Sequence, residues 1–182
     1  MGNIALVQGV IVDKVKPMDT LAIISICLAI LFLLWMGWID LKLWILPNEL
    51  VAAFGISAIA FHLAIDWDYG GWLFFAIGAV VGGGSLWIIR LVANKIYGME
   101  TLGFGDVKLM AAGGLLLGPE GILMAMSVGA LCGVAHAVLI VLGQKIKTGQ
   151  WVSMNRMALP AGPGFITGLI VVGIWMYKDI LV

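Results

Sequence analysis

The chain has 182 residues, 63% of them hydrophobic and 11% charged, with ten basic and ten acidic side chains. Soluble domains carry charge on roughly a quarter of their residues, so this composition excludes a water-soluble globule and makes the lipid bilayer the first partner. A zero net charge offers no basic footprint for nucleic acid, and the length suits one membrane domain without a sizeable soluble appendage.

Residues 1–19 come first, a weakly apolar stretch followed by Lys14 and Lys16. It has neither the pattern of a signal peptide nor the hydroxyl residue of a myristoylation signal. It is expected to be an extracytoplasmic or interfacial segment ahead of a membrane-embedded domain at 20–182. Apolar runs then mark spans at 20–39, 49–65, 72–93, 107–118, 121–143 and 161–178, each to be measured against the ~20 residues that cross a bilayer. The fold class is therefore all-α: a polytopic integral membrane protein of about six transmembrane helices. The fourth run is short, because Gly118-Pro119-Glu120-Gly121 is a strong turn signal. A dozen residues make only ~18 Å of helix, so Asp106 is expected to begin its helix recessed below the interface.

Six spans put loops 40–48, 94–106 and 144–160 on one side. That side gathers Lys42, Arg90, Lys95, Lys108, Lys145, Lys147 and Arg156, against Lys14, Lys16 and Lys178 on the other. The richer side is cytoplasmic by the positive-inside rule, and Asp40 and Asp106 both fall on it, with Glu49 and Glu100 nearby. Tryptophans and tyrosines near span ends, among them Trp35, Trp38, Trp44, Trp72, Trp175 and Tyr177, read as interfacial anchors. Gly78/Gly82, Gly114/Gly118, Gly129/Gly133 and Gly164/Gly168 have the small-xxx-small spacing that lets helix backbones approach. Cys27 and Cys132 lie in apolar runs and carry neither a disulfide framework nor metal-site spacing.

Carboxylates at a membrane boundary are costly, which makes Asp40 and Asp106 functional candidates by default. Asp106, ahead of an apolar run, has a structural reading as a helix N-cap. That reading leaves Lys108 unexplained, since a cation is unfavourable in a helix's first turn, and also the glycines on both sides of Phe104. Asp40 ends its span, where a negative charge opposes the helix dipole; its structural reading is an interfacial acid paired with Lys42. Pro47 is expected to stop the preceding segment, with Asn48 capping the next helix and Glu49 favouring its first turn. His62 reads as a lone polar packing residue. Ser85 and His136 fall at similar depth and raise a serine–histidine alternative, although such residues commonly bond between membrane helices without chemistry.

Two stretches carry a resemblance when taken in order. Ile39-Asp40 is followed by Leu46-Pro47-Asn48, and then comes Glu100-Thr-Leu-Gly103-Phe104-Gly105-Asp106-Val-Lys108. They resemble the type IV prepilin peptidases, membrane aspartic proteases with a Gly-x-Gly-Asp signature. Enough chain for two spans and a loop separates the two aspartates, and Leu159-Pro160-Ala161-Gly162-Pro163 is similar to the family's entry into its last helix. Presenilin-type proteases share Gly-x-Gly-Asp but place a tyrosine before the first aspartate, where this chain has Ile39. Two-domain prepilin peptidases also carry paired Cys-x-x-Cys motifs associated with N-methylation. Their absence makes this chain similar to the peptidase-only forms of tight-adherence (Flp) pilus and archaeal preflagellin systems.

The resemblance implies catalytic Asp40 and Asp106, and substrate contacts from Glu100, Gly103, Gly105 and Lys108. It implies no metal and no cofactor. It also implies a prepilin-like substrate with a short basic leader, cut at the cytoplasmic face of the cytoplasmic membrane of a prokaryote. Two carboxylates held close cannot both ionise cheaply, so such a pair shares a proton and activates water. The rival class is a non-enzymatic transporter or assembly subunit using the same two acids as an ion or proton site, although no internal repeat supports a transporter.

Overall fold

The computed structural model describes residues 20–148 and 161–181, and the expectation for residues 1–19 lies outside them. The described residues are helical with no strand: α1 (Thr20–Leu43), α2 (Asn48–Ala64), α3 (Gly71–Tyr97), α4 (Phe104–Thr148) and α5 (Gly162–Leu181). Backbone groups in hydrocarbon must be satisfied within the segment, which is why apolar runs of this length become helices. Three helical stretches are long and apolar enough to cross a membrane: Thr20–Leu43, Gly71–Tyr97 and Phe104–Gly143. The apolar helices Asn48–Ala64 and Gly162–Lys178 are shorter.

The turn expected at residues 118–121 is present in a more economical form. One residue, Gly118 (φ 69°, ψ −178°), breaks α4, and Pro119 opens the next turn directly, a position where its missing N–H costs nothing. The chain doubles back there. A side chain at Gly82 of α3 would meet both Met110, before the break, and Ile122, after it, whereas a straight helix would hold those two ~18 Å apart. The two runs read as separate spans are thus two helices that meet at Gly118 with no intervening loop.

The sharp bend strips carbonyls near Gly118 of their intrahelical partners, and tertiary contacts supply replacements. His62 Nε2 donates to the Leu116 carbonyl at 3.0 Å, and the Tyr177 hydroxyl donates to the same oxygen. His62 is fully buried and stacks on Phe75 with ring centroids 3.6 Å apart. It is a polar packing residue with a definite task, and Tyr177, expected as an interfacial anchor, is buried beside it. Trp35, Trp38, Trp44, Trp72 and Trp175 are exposed, as anchors should be.

In lipid, apolar burial gives helices little drive to associate, so close backbone contact has to hold them. The small-residue pairs provide it. Gly78 of α3 lies against the backbone of Gly114 and Gly118, while Gly129 of α4 meets Gly164 and Phe165 of α5, and Gly168 meets Ala125. These contacts clamp α4 between α3 and α5. α1 packs on α2 and α5, and α2 packs on α4. Among the described residues the backbones of α1 and α4 do not come close to one another, and both helices pack on α2 and α5.

Candidate active site

Asp40 sits in the last turn of α1 and is only 6% exposed. Its carboxylate accepts a hydrogen bond from the backbone N–H of Gly162, the first residue of α5. The positive end of one helix thereby meets an acid that stands at the negative end of another, which offsets the opposed dipole. A Cβ on Gly162 would lie 2.5 Å from Asp40 Oδ2 and 3.0 Å from Cγ, so only glycine lets that N–H come so near. The pairing with Lys42 weighed from sequence does not form; the Lys42 ammonium lies 4.2 Å from the centre of the Trp38 ring.

Asp106 is 7% exposed. It does not precede its helix as an N-cap: α4 begins at Phe104, which places Asp106 in the first turn. From there the carboxylate reaches back to the N–H of Gly103, the reciprocal half of a capping box. A Cβ at Gly103 would stand 3.1 Å from Asp106 Oδ2, so this glycine too makes room for a carboxylate. Asp106 feels the charge of Asp40 directly, which brings together two buried acids from helices whose backbones stay apart.

Two loops set this arrangement. Between α3 and α4, Gly98 closes α3 in the left-handed conformation (φ 65°). Arg90 Nε then donates to the Leu102 carbonyl at 2.9 Å, and its guanidinium pairs with Glu100 at 2.8 Å. Thr101 donates its N–H and hydroxyl to Asn94 Oδ1, at 2.8 and 2.9 Å. Arg90 and Asn94 are thus the supports of the Gly-x-Gly-Asp turn, which no motif in the sequence announced. Glu100, read as a substrate contact, is exposed but already paired with Arg90. Between α1 and α2, Leu46 packs against Gly105, where a Cβ would come within 2.9 Å of the leucine Cβ. Pro47, rather than Asn48, is the N-cap of α2; the Asn48 amide oxygen instead accepts from Lys108 Nζ at 2.8 Å. Phe104 lies between two cations, 5.4 Å from the Arg90 guanidinium and 4.9 Å from the Lys108 ammonium.

The serine–histidine alternative is not assembled. Ser85 Oγ donates to its own helix at Val81 (2.6 Å) and contacts Met126 Sδ, while His136 is exposed on the outside of α4. A small apolar cleft opens between α1, α4 and α5, from Leu33 to Ile26 along α1 and from Leu169 to Tyr177 along α5. It begins two turns from Asp40 and brings no titratable carboxylate to the site.

The structure thus brings two buried aspartates together in an apolar helical bundle. The sequence matches the type IV leader peptidase family over residues 27–138, which includes both aspartates, and the chain belongs to that family of peptidases. It is 28% identical over 160 residues to the prepilin leader peptidase/N-methyltransferase of Escherichia coli K12, covering 83% of this chain and 68% of the relative. To the protein of the same name in Burkholderia pseudomallei 1026b it is 34% identical over 156 residues, 81% of this chain and 44% of the relative. The Pectobacterium carotovorum protein of that name is 32% identical over 111 residues, 59% and 38% respectively. The chain thus spans about two thirds of the first relative and under half of the other two. No solved structure matches it.

Proposed function

We propose that this protein is a membrane aspartic endopeptidase that removes the leader of prepilin-like substrates at the cytoplasmic face, without N-methyl transfer. The observation that carries it is the pair Asp40 and Asp106, both buried, each held by a glycine N–H, and coupled to one another. The relatives are named for leader cleavage of prepilins. They are also named as methyltransferases; this chain lacks Cys-x-x-Cys, and its two cysteines lie within α1 and α4. In the proposed topology of six crossings, with the two limbs of α4 counted separately, Lys42, Arg90, Lys95 and Lys108 share a membrane face with the carboxylates, which supports a cytoplasmic site.

In this mechanism the pair holds one proton. The ionised carboxylate takes a proton from water as the water oxygen attacks the scissile carbonyl carbon. The protonated carboxyl hands its proton to the developing oxyanion, and the tetrahedral adduct collapses as the leaving nitrogen takes a proton from the pair. Burial strengthens each of these interactions, since few water dipoles compete. The exposed backbone at Gly103 and the exposed Glu100, with the half-buried Gly105 and Lys108 beside them, surround Asp106 and are the proposed contacts for substrate.

Co-expression with a prepilin in a peptidase-deficient host tests the proposal, with leader removal read by gel mobility and product mass. Wild type cleaves and leaves an unmethylated N-terminus; Asp40→Asn and Asp106→Asn, at equal membrane levels, accumulate precursor. Cleavage surviving either substitution refutes the dyad. A wild type that cleaves no prepilin favours the transporter or assembly reading.

A further inference from the structure

The two carboxylates belong to α1 and α4, whose backbones do not come close to each other, so contacts through other segments have to fix their separation. The Gly162 N–H ties Asp40 to α5, and the Gly103 N–H ties Asp106 to its own turn. Neither spans from one acid's helix to the other's. The chain that leaves α1 after Asp40 does span it. It runs four residues through Leu46, which lies against Gly105, to Asn48 at the head of α2. There the amide oxygen of Asn48 receives Lys108, two residues beyond Asp106.

Both residues of this bridge depart from their default roles. Asn48 begins a helix whose first turn takes no side-chain cap, its oxygen being directed to α4 instead. Lys108 is the fifth residue of α4, one past its first turn; rather than standing free, its ammonium is held by the Asn48 oxygen on one side and the Phe104 ring on the other. The bond joins residues 60 apart in sequence.

Resting on the peptidase reading above, we propose that the Asn48–Lys108 hydrogen bond is a latch that holds Asp106 in register with Asp40. It makes both residues positioning groups for the dyad, and Lys108 a structural partner of Asn48 before it is a contact for substrate.

A double-mutant cycle on cleavage separates the two roles. If the latch operates, Asn48→Ala and Lys108→Met each lower kcat about tenfold with KM little changed, a loss in keeping with the steep dependence of catalysis on sub-ångström placement. The double variant is then no worse than either single one, because the same bond is lost. Asn48→Asp, which keeps the acceptor, retains activity. A second arm needs no catalysis: D40C/D106C in a background free of Cys27 and Cys132 is treated in membranes with a short bifunctional thiol reagent. Adding Asn48→Ala lowers the yield of the bridged product if the latch sets the separation. A harmless Asn48→Ala beside a costly Lys108→Met would overturn the proposal and give Lys108 a role through its charge. So would losses that multiply in the double variant, or a cross-linking yield indifferent to Asn48→Ala. The cross-linking arm reads out even if no prepilin is cleaved, so failure of the latch and failure of the peptidase reading remain distinct.

Discussion

Alanine at position 162 would press a methyl group onto the carboxylate of Asp40. The added Cβ stands 2.5 Å from Oδ2 and 3.0 Å from Cγ, while ordinary van der Waals contact begins at 3.4 Å; one of the two has to retreat by about 0.9 Å. Asp40 is the softer partner, since its side chain rotates at lower cost than the head of α5 shifts. Its retreat also loses the Gly162 N–H bond. A misplacement near 1 Å at a reacting group costs about 100-fold in rate, equivalent to ~2.7 kcal/mol of transition-state stabilisation. The fold has no reason to suffer, because alanine is favoured over glycine in a helix by up to ~1 kcal/mol. Gly162→Ala should therefore lower kcat/KM for leader removal about 100-fold at unchanged membrane abundance and thermal stability. Gly84→Ala, whose Cβ meets nothing within 4 Å, is the matched control. Full activity in Gly162→Ala would refute the reasoning; so would a collapse in abundance, which would mean the helix head moves instead of the acid.

Three further outcomes follow from the packing. Gly78→Ala would bring its Cβ within 2.6 Å of the Gly118 Cα, where backbone cannot yield cheaply, and should cost about 1–3 kcal/mol, read as an earlier thermal aggregation in detergent. His62→Phe keeps the ring stack on Phe75 but removes a donor to Leu116; combined with Tyr177→Phe it leaves that carbonyl without either side-chain partner, and the double variant should lose about 1–3 kcal/mol in the same melting assay. Ser85→Ala removes only a bond to its own helix and should leave leader cleavage unchanged; a loss would reopen the serine alternative.

Residue type and order in the sequence were enough to raise the site as a hypothesis. Acids beside apolar runs are expensive wherever they stand, so Asp40 and Asp106 drew attention before any fold was known, and the geometry brought them together. Local chemistry was a poorer guide to what holds them. Asp106 read as a cap preceding its helix, but it lies in the first turn and reaches back. Asn48 read as a cap and serves α4 instead. Lys42, the partner of Asp40 in the structural alternative, rests on Trp38. Asn48 finds its partner 60 residues away, whereas Asp106 and Lys42 exchange one local partner for another, since contacts are decided by distance in space.

The sequence by itself determined that this is a membrane protein of apolar helices, where those helices run, and which glycines let them approach. These follow from the cost of unsatisfied backbone in lipid and from side-chain size, both local properties. Only the tertiary structure decided that residues 107–118 and 121–143 fold back on one another at Gly118 without a connecting loop, with His62 and Tyr177 tending the freed carbonyl. It alone decided that the head of α5 stabilises Asp40. Helix dipoles, freed carbonyls and buried acids find their partners across the bundle, and no period within a single helix encodes which helix arrives beside them.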